Sequence, residues 1–333
     1  MKIFMVGDYT TGTGPANVTK SYLRLLPQGT LKLNSKEKAK RAVEIIFKMF
    51  AADVLLCSGY SKQNVLAVRW AKILRKPSVY LMHGCVEHEN TINGVPDDTM
   101  NRVERETLLR CDHIFAVSKK FADWLCVHYP EYIEKIRTLP NGIDWNTMQE
   151  YAVTAQRNDH QIISIGGGMP RKLIRIICEA VNQINQEKKM SLKLVIIGDT
   201  GLDTEEIHRY SFVEDLGIVP YSQVMELLSA SKIFVQNSSF ETFGLAPLEA
   251  MVCGCDVLMS DKVGATELFQ ELTDQDLIYD CLDSGEIAKK IWNLLQGGNN
   301  ERLVQSIDKE STSWEARTEQ LIRMLQSVIE KSL

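Results

Sequence analysis

The sequence predicts an α/β protein built as two layered domains, and three observations carry that expectation. Short β-branched and aromatic runs alternate with segments at helical spacing, the pattern of parallel strands joined by crossover helices. Several of these runs end in glycine-bearing turns that open directly onto a helix, as in nucleotide-binding folds. The 333 residues suffice for two such domains, and the polar, weakly patterned stretch 145–160 is placed to link them. Apolar and charged fractions of 44% and 24% are those of a soluble globular chain. No apolar run approaches a membrane span, because 43–56 is broken by Glu44, Lys48 and Asp53.

Residues 2–6 form a first strand that runs straight into Gly7-Asp8, too short for a signal peptide. The loop Asp8-Tyr-Thr-Thr-Gly12-Thr13-Gly14-Pro15 leads to a helix over 18–26. A glycine-rich loop here faces phosphate in many nucleotide-binding folds, although a plain turn would need its glycines too. Gly7, Gly12 and Gly14 do not keep the dinucleotide spacing, and no acidic residue closes a second strand at the required place. A nicotinamide-dependent oxidoreductase is therefore the weakest of the function classes considered. Residues 35–50 predict an amphipathic helix with Val43, Ile46, Phe47 and Phe50 turned to the core. Lys36, Lys38, Lys40 and Arg41 at its start read as a solvated face, or as a contact with an anionic membrane.

A strand over 54–57 and a helix over 64–74 precede the strand 78–82, which ends at His83-Gly84. A histidine at the carboxyl end of a strand in an open α/β sheet faces the ligand crevice, unless it is a satisfied core histidine. Asp97-Asp98, between Pro96 and a polar helix start, reads as a cap and not as a metal pair. A helix over 100–110, a strand running to Ser118 and the Asn141-Gly142 turn complete the first domain.

The second domain opens with a strand from 161, the turn Gly166-Gly-Gly-Met-Pro170-Arg171-Lys172 and a helix over 173–184. Glycines at a strand-to-helix turn followed by a cation make a phosphate site. Strands follow at 192–197 and 256–260. Ser313-Trp314-Glu315 begins a last helix to about 330, with Leu321, Met324, Leu325 and Ile329 on one stripe. Eight cysteines scattered through core segments, with Cys253-x-Cys255 lacking partners at metal spacing, point to a reducing compartment, no disulfide framework and no metal. Charge is uneven: residues 1–150 carry net +5 and 151–333 net −10, which suits an anionic partner for the first domain.

The most informative stretch runs from Asn237 to Met251. A buried-strand run over 232–236 precedes it, and Leu248, Met251 and Val252 keep helical spacing after it. Gly244 lets backbone approach a ligand, and Pro247 suits a helix start. The N–H groups near Phe243, Gly244 and Leu245 point out of a positive helix end, an anion site flanked by Glu241 and Glu249. Phosphates in the middle and hydroxyls at both ends describe a nucleotide-sugar.

Glu241-x7-Glu249, with Phe-Gly-Leu inside and Glu-Ala-Met-x-x-Gly after it, resembles the donor-site signature of glycosyltransferase family 4, the retaining "group 1" enzymes. Asp112-His-Ile-Phe-Ala-Val-Ser118, Leu139-Pro-Asn141-Gly-Ile-Asp144 and Ser211-Phe-Val-Glu-Asp-Leu-Gly217 carry the resemblance along nearly the whole chain. It implies the GT-B fold: two Rossmann-like domains facing across a cleft, with the C-terminal helix crossing back to the first. Residues 1–150 with helix 314–333 would bind acceptor, and 151–313 the nucleotide-sugar donor. Glu241, His83 and Lys172 are implied as catalytic. Glu249, Phe243, Gly244, Leu245, Arg171, Gly217 and the Gly12-Thr13-Gly14 loop are implied as donor-binding, with Ser118 and Asn141 on the acceptor side. Three positions depart from the family pattern. Gly167 replaces an arginine, which Arg171 would supply unless it points to solvent, Thr242 replaces a glycine, and Asp256 replaces a proline. The expected activity is metal-independent transfer of a sugar to a sugar, lipid-linked or other hydroxyl acceptor in bacterial polysaccharide, glycolipid or glycoconjugate assembly. No cofactor and no nucleic-acid partner are expected. The compartment implied is the cytoplasm, with peripheral contact at the inner face of an anionic membrane. A non-catalytic nucleotide-sugar-binding partner of an active transferase is the alternative.

Overall fold

Two six-stranded parallel sheets carry the fold in the computed structural model, which describes residues 1–35, 37–151 and 156–332. Lys36 of the expected basic cluster and 152–155 of the expected linker lie outside these residues. The first unit takes in Met1–Asn90, Pro96–Gly142 and Glu310–Leu333; the second takes in Thr91–Val95 and Ile143–Lys309.

In the first unit the chain runs β1 (Ile3–Gly7), α1 (Gly14–Leu25), β2 (Leu31–Lys32), α2 (Lys38–Ala51), β3 (Val54–Ser58), α3 (Lys62–Ile73), β4 (Ser78–Met82), α4 (Val86–Ile92), α5 (Asp98–Arg110), β5 (His113–Ala116), α6 (Lys119–His128) and β6 (Ile136–Thr138). The sheet order is β2-β1-β3-β4-β5-β6. Strands β3 and β4 are buried along their whole length, which is why they read as continuous apolar runs without alternation. Asp97 caps α5, its Oδ1 accepting from the Met100 N–H at 3.0 Å, as the sequence predicts.

Helix α2 departs from its expected orientation. Ile45 and Met49 are buried, whereas Val43, Phe47 and Phe50 face solvent. Both faces of this helix are apolar, so helical spacing alone could not choose between them.

The second unit runs α7 (Trp145–Tyr151), β7 (Asn158–Ile165), α8 (Ile174–Lys188), β8 (Lys193–Ile197), α9 (Thr204–Ile207), β9 (Val213–Asp215), α10 (Tyr221–Ala230), β10 (Ser231–Gln236), α11 (Ala246–Val252), β11 (Asp256–Ser260), β12 (Leu277–Ile278), α12 (Ser284–Gly297) and α13 (Asn300–Gln305). Its sheet order is β12-β11-β10-β7-β8-β9. The stretch expected to be a linker contains helix α7, whose Trp145 and Met148 are buried. Asp256, at the place of the family's proline, accepts from the Asn299 and Asn300 N–H groups at 2.7 and 3.0 Å, a structural role.

The chain ends in α14 (Trp314–Glu330), which belongs to the first unit and packs on α1. Ser313 caps it, its Oγ accepting from the Ala316 N–H at 3.2 Å. Leu321 and Leu325 are fully buried, as their spacing predicts, and Trp314 meets Tyr22 edge-on with ring centroids 5.2 Å apart. Gly142 makes room for this helix: a Cβ there would lie 2.6 Å from the Trp314 Cα.

Candidate active site

Parallel strands put all their carboxyl ends on one edge of a sheet, and every candidate residue follows such an end or the helix after it. In the second unit Arg171 and Lys172 follow β7, Gly217 follows β9, and 241–245 follow β10, leading to Glu249 in α11. Strands β7 and β10 are neighbours, so their loops meet.

Three donors converge on one oxygen. Lys172 Nζ bonds Glu241 Oε2, Gln236 Nε2 donates to the same atom at 2.9 Å, and Arg171 Nη1 lies 3.6 Å from it. Burial pushes the Glu241 carboxyl up, but the Lys172 and Arg171 charges outweigh it and hold the group below its usual value. Two cations against one carboxylate leave this cluster one positive charge in excess.

The turn after β7 explains the missing arginine. Gly167 has φ +56°, and a Cβ there would fall 2.0 Å from the Asp199 carbonyl oxygen, so no side chain fits. The short turn Pro170–Lys172 instead brings Arg171 inward, its side chain only 16% exposed. The arginine charge absent at 167 is thus present four residues later.

Gly244 has φ +86° and lies against Val263 and Glu241. The Ala265 N–H donates to the Phe243 carbonyl at 2.7 Å and the Gly264 N–H to the Glu241 carbonyl at 3.2 Å, which fastens the loop beside β11. Phe243 is buried, and Leu245 caps α11 with Pro247 in its first turn. Thr242, at the place of the family's glycine, is buried as well. Glu249 stands apart from the cations. Burial raises its carboxyl to about 7, and the Tyr221 hydroxyl, donating to its Oε1 at 3.1 Å, offsets part of that rise. Gly217, at φ +62°, donates to Asp215 Oδ1 at 3.0 Å.

In the first unit the Gly12-Thr13-Gly14 loop follows β1, His83 follows β4, Ser118 follows β5 and Asn141 follows β6. His83 Nε2 lies 2.9 Å from Ser58 Oγ, which in turn lies 2.8 Å from Thr19 Oγ1. Burial drives the imidazole's pKa down to about 4, so it is neutral at physiological pH. Gly12, Thr13 and Gly14 are exposed, with Gly12 at φ +75°. Ser118 Oγ accepts from the Phe121 N–H at 3.0 Å, capping α6. Asn141 is buried in the turn before Gly142.

Tyr221 and Gln236 join the candidates of the second unit, and Ser58 and Thr19 those of the first, only in the structure. Gln236 ends the strand that precedes the signature, the one positional hint among them; the other three carry no motif.

Two family models match the chain: Glycosyltransferase Family 4 over residues 10–146 and Glycosyl transferases group 1 over 150–312. Among characterised proteins, it is 30% identical to O-antigen chain mannosyltransferase B of Escherichia coli over 168 residues, 47% of this chain and 43% of that protein. It is 25% identical to alpha-1,3/1,6-mannosyltransferase alg-2 of Neurospora crassa over 302 residues, 85% of this chain and 56% of that protein. The chain therefore spans about half the length of these relatives. The solved structure of Anabaena HepE in complex with UDP and glucose shares the fold, with a TM-score of 0.73 at 16% identity over 98% of this chain and 100% of that one.

Proposed function

Because the chain belongs to the group 1 glycosyltransferases of family 4 and has the GT-B fold, we propose that it moves a sugar from a nucleoside-diphosphate-sugar to a hydroxyl acceptor with retention of configuration. The observation that carries this is the cluster of Lys172, Arg171 and Gln236 on Glu241 Oε2, with its excess positive charge.

Transfer requires that charge on the departing diphosphate be met by groups already in place, and Glu241 holds Lys172 and Arg171 for that purpose. Glu249 takes the ribose hydroxyls as an acceptor of two hydrogen bonds, and Tyr221 holds its carboxylate. Glu241 meets the transferred sugar and stabilises positive charge at its anomeric carbon. His83, neutral and steadied by Ser58, orients the sugar. The acceptor attacks on the face from which the diphosphate leaves, and the leaving phosphate takes its proton, so no side chain is assigned as general base. Phe243, Gly244, Leu245, Gly217 and the Gly12-Thr13-Gly14 loop frame the donor, while Ser118 and Asn141 lie on the acceptor side. In this reading 1–150 with 314–333 serve the acceptor and 151–313 the donor. HepE was solved in complex with UDP and glucose, and the two relatives are named mannosyltransferases, which makes a hexosyl donor the first to try. The work is placed in the cytoplasm, in polysaccharide or glycoconjugate assembly, against an anionic membrane.

Release of sugar from UDP-, GDP-, ADP- and dTDP-hexoses tests the proposal, with and without sugar and lipid-linked acceptors. One donor is expected to be consumed slowly alone and faster with an acceptor, and both rates to collapse in Lys172→Ala. Donor binding with no release under any acceptor would turn the assignment to a non-catalytic donor-binding partner.

A further inference from the structure

We propose that Glu104, on α5, is a positioning residue that sets where the His83 imidazole stands. The proposal rests on the sugar-orienting role given to His83 above. Before His83 the chain is held by the sheet, since β4 pairs with β3 and, as far as Met82, with β5. After His83 it leaves the ladder, and Glu104 takes hold of it there. Glu104 Oε1 accepts from the Val86 N–H at 3.0 Å and Oε2 from the Glu87 N–H at 3.2 Å, while the Cys85 thiol lies 3.7 Å from Oε2. These are the first two N–H groups of α4, which no carbonyl of that helix can satisfy. The Glu89 carboxylate of the same helix lies where a Gly84 Cβ would stand, so α4 is seated against the turn that carries the histidine.

Two adjacent N–H groups need two acceptor oxygens. A carboxylate presents them side by side, whereas glutamine offers one oxygen and a donor amide. A buried anion is costly unless something compensates it, and Glu104 is 1% exposed. The titratable groups that face it are Cys85 and Glu89 of the segment it holds, Tyr80 of β4, Tyr60 after β3 and Tyr129 after α6. None of these carries positive charge. Helix α3, packed along α5, buries Asn64, Ala67, Val68 and Ala71 and so adds no charge either. Burial therefore raises the carboxyl to about 7, and the two N–H bonds offset part of the rise. Asp97 caps α5 from the residue before it, but Glu104 reaches α4 from a different helix, 18 positions along. A helix of seven residues contributes little by itself. A buried carboxylate kept for it points to the histidine that it adjoins.

Nitrogen NMR of the histidine side chains, with His83 assigned through His83→Ala, tests the hold on the ring without any donor. Glu104→Gln is expected to move the His83 signals and to leave those of His160 and His208, in the second unit, where they are. The native chain adds a readout that needs no substitution. Its His83 signals are expected to shift as pH falls through about 7, where Glu104 gains its proton and one N–H loses its acceptor. The imidazole itself, at about 4, does not ionise there. Glu104→Gln is expected to abolish that shift. With a donor that is consumed, Glu104→Gln is expected to lower kcat/KM for transfer about tenfold in the native chain but less than about twofold in His83→Ala, where nothing is left to position. Equal losses in both backgrounds, or His83 signals unmoved by Glu104→Gln, would overturn the proposal. Native His83 signals that stay flat around pH 7 would overturn it even if the glutamine chain did not fold. Were no donor consumed, the transferase reading would fail, while the spectra would still decide whether Glu104 places His83.

Discussion

The carboxyl edges of the two sheets carry different electrostatics. At the edge of the second sheet, two cations and an amide crowd one ionised glutamate, leaving positive charge to offer. At the edge of the first, a histidine held neutral by burial meets a serine hydroxyl, which in turn meets a threonine hydroxyl. The difference accords with the division of labour proposed for the two units. An edge rich in fixed charge suits a diphosphate, which must be bound and then stabilised as it leaves. A neutral imidazole and hydroxyls suit sugar hydroxyls, which need orientation and no charge.

Loss of Lys172 should break the comparison most severely. Lys172→Ala removes the cation bonded to Glu241, and kcat/KM for the donor is expected to fall roughly 10²- to 10³-fold; a fall under tenfold would mean that the charged edge does not serve the leaving group. Arg171→Ala should cost less, about tenfold in donor KM, because its contact with Glu241 is longer, 3.6 Å. No loss at all would leave the absence of an arginine at 167 uncompensated.

Glu249→Gln sharpens the contrast within the second unit. The native carboxyl is raised to about 7, above its ordinary 4.5, so the folded chain holds this proton more tightly than the unfolded one. Stability should therefore decline as pH rises from 4.5 to about 7. The glutamine variant, which has nothing to ionise there, should lack that component, and chemical denaturation across the range measures the difference. Tyr221→Phe is a smaller perturbation. It should weaken donor binding by about 1 kcal/mol and move the titration of Glu249 upward, since the lost hydroxyl bond favoured the ionised form. Smallest of all is the expectation for His83. With its imidazole at about 4, it should contribute no inflection to the activity profile between about pH 5 and 8.

Much of the second edge was legible in the sequence because its chemistry lies in one continuous stretch. Glu241, Gly244 and Glu249 fall within a single loop and helix turn, and the flanking strand run announces itself by β-branched residues. The inward turn of Arg171 was not legible. It depends on a short turn whose following residue, Leu173, adopts φ +49°, a backbone detail no spacing reports. Tyr221 was missed for another reason: it lies 28 positions from Glu249, and only the packing of α10 beside α11 joins them. Helix α2 shows how periodicity misleads. Residues 43, 46, 47 and 50 satisfy a helical stripe, yet Ile45 and Met49 are the pair that is buried. Where both faces of a helix are apolar, tertiary packing alone decides which is inside.

The central claim is that the charged edge of the second unit binds a nucleoside-diphosphate-sugar. Its most direct test is a melting-temperature titration with UDP-, GDP-, ADP- and dTDP-sugars on the native chain, Lys172→Ala and Glu249→Ala. One donor should raise the native melting temperature steadily with concentration, by mass action, and the rise should shrink in both variants. No rise with any donor, or a rise undiminished in Lys172→Ala, would contradict it.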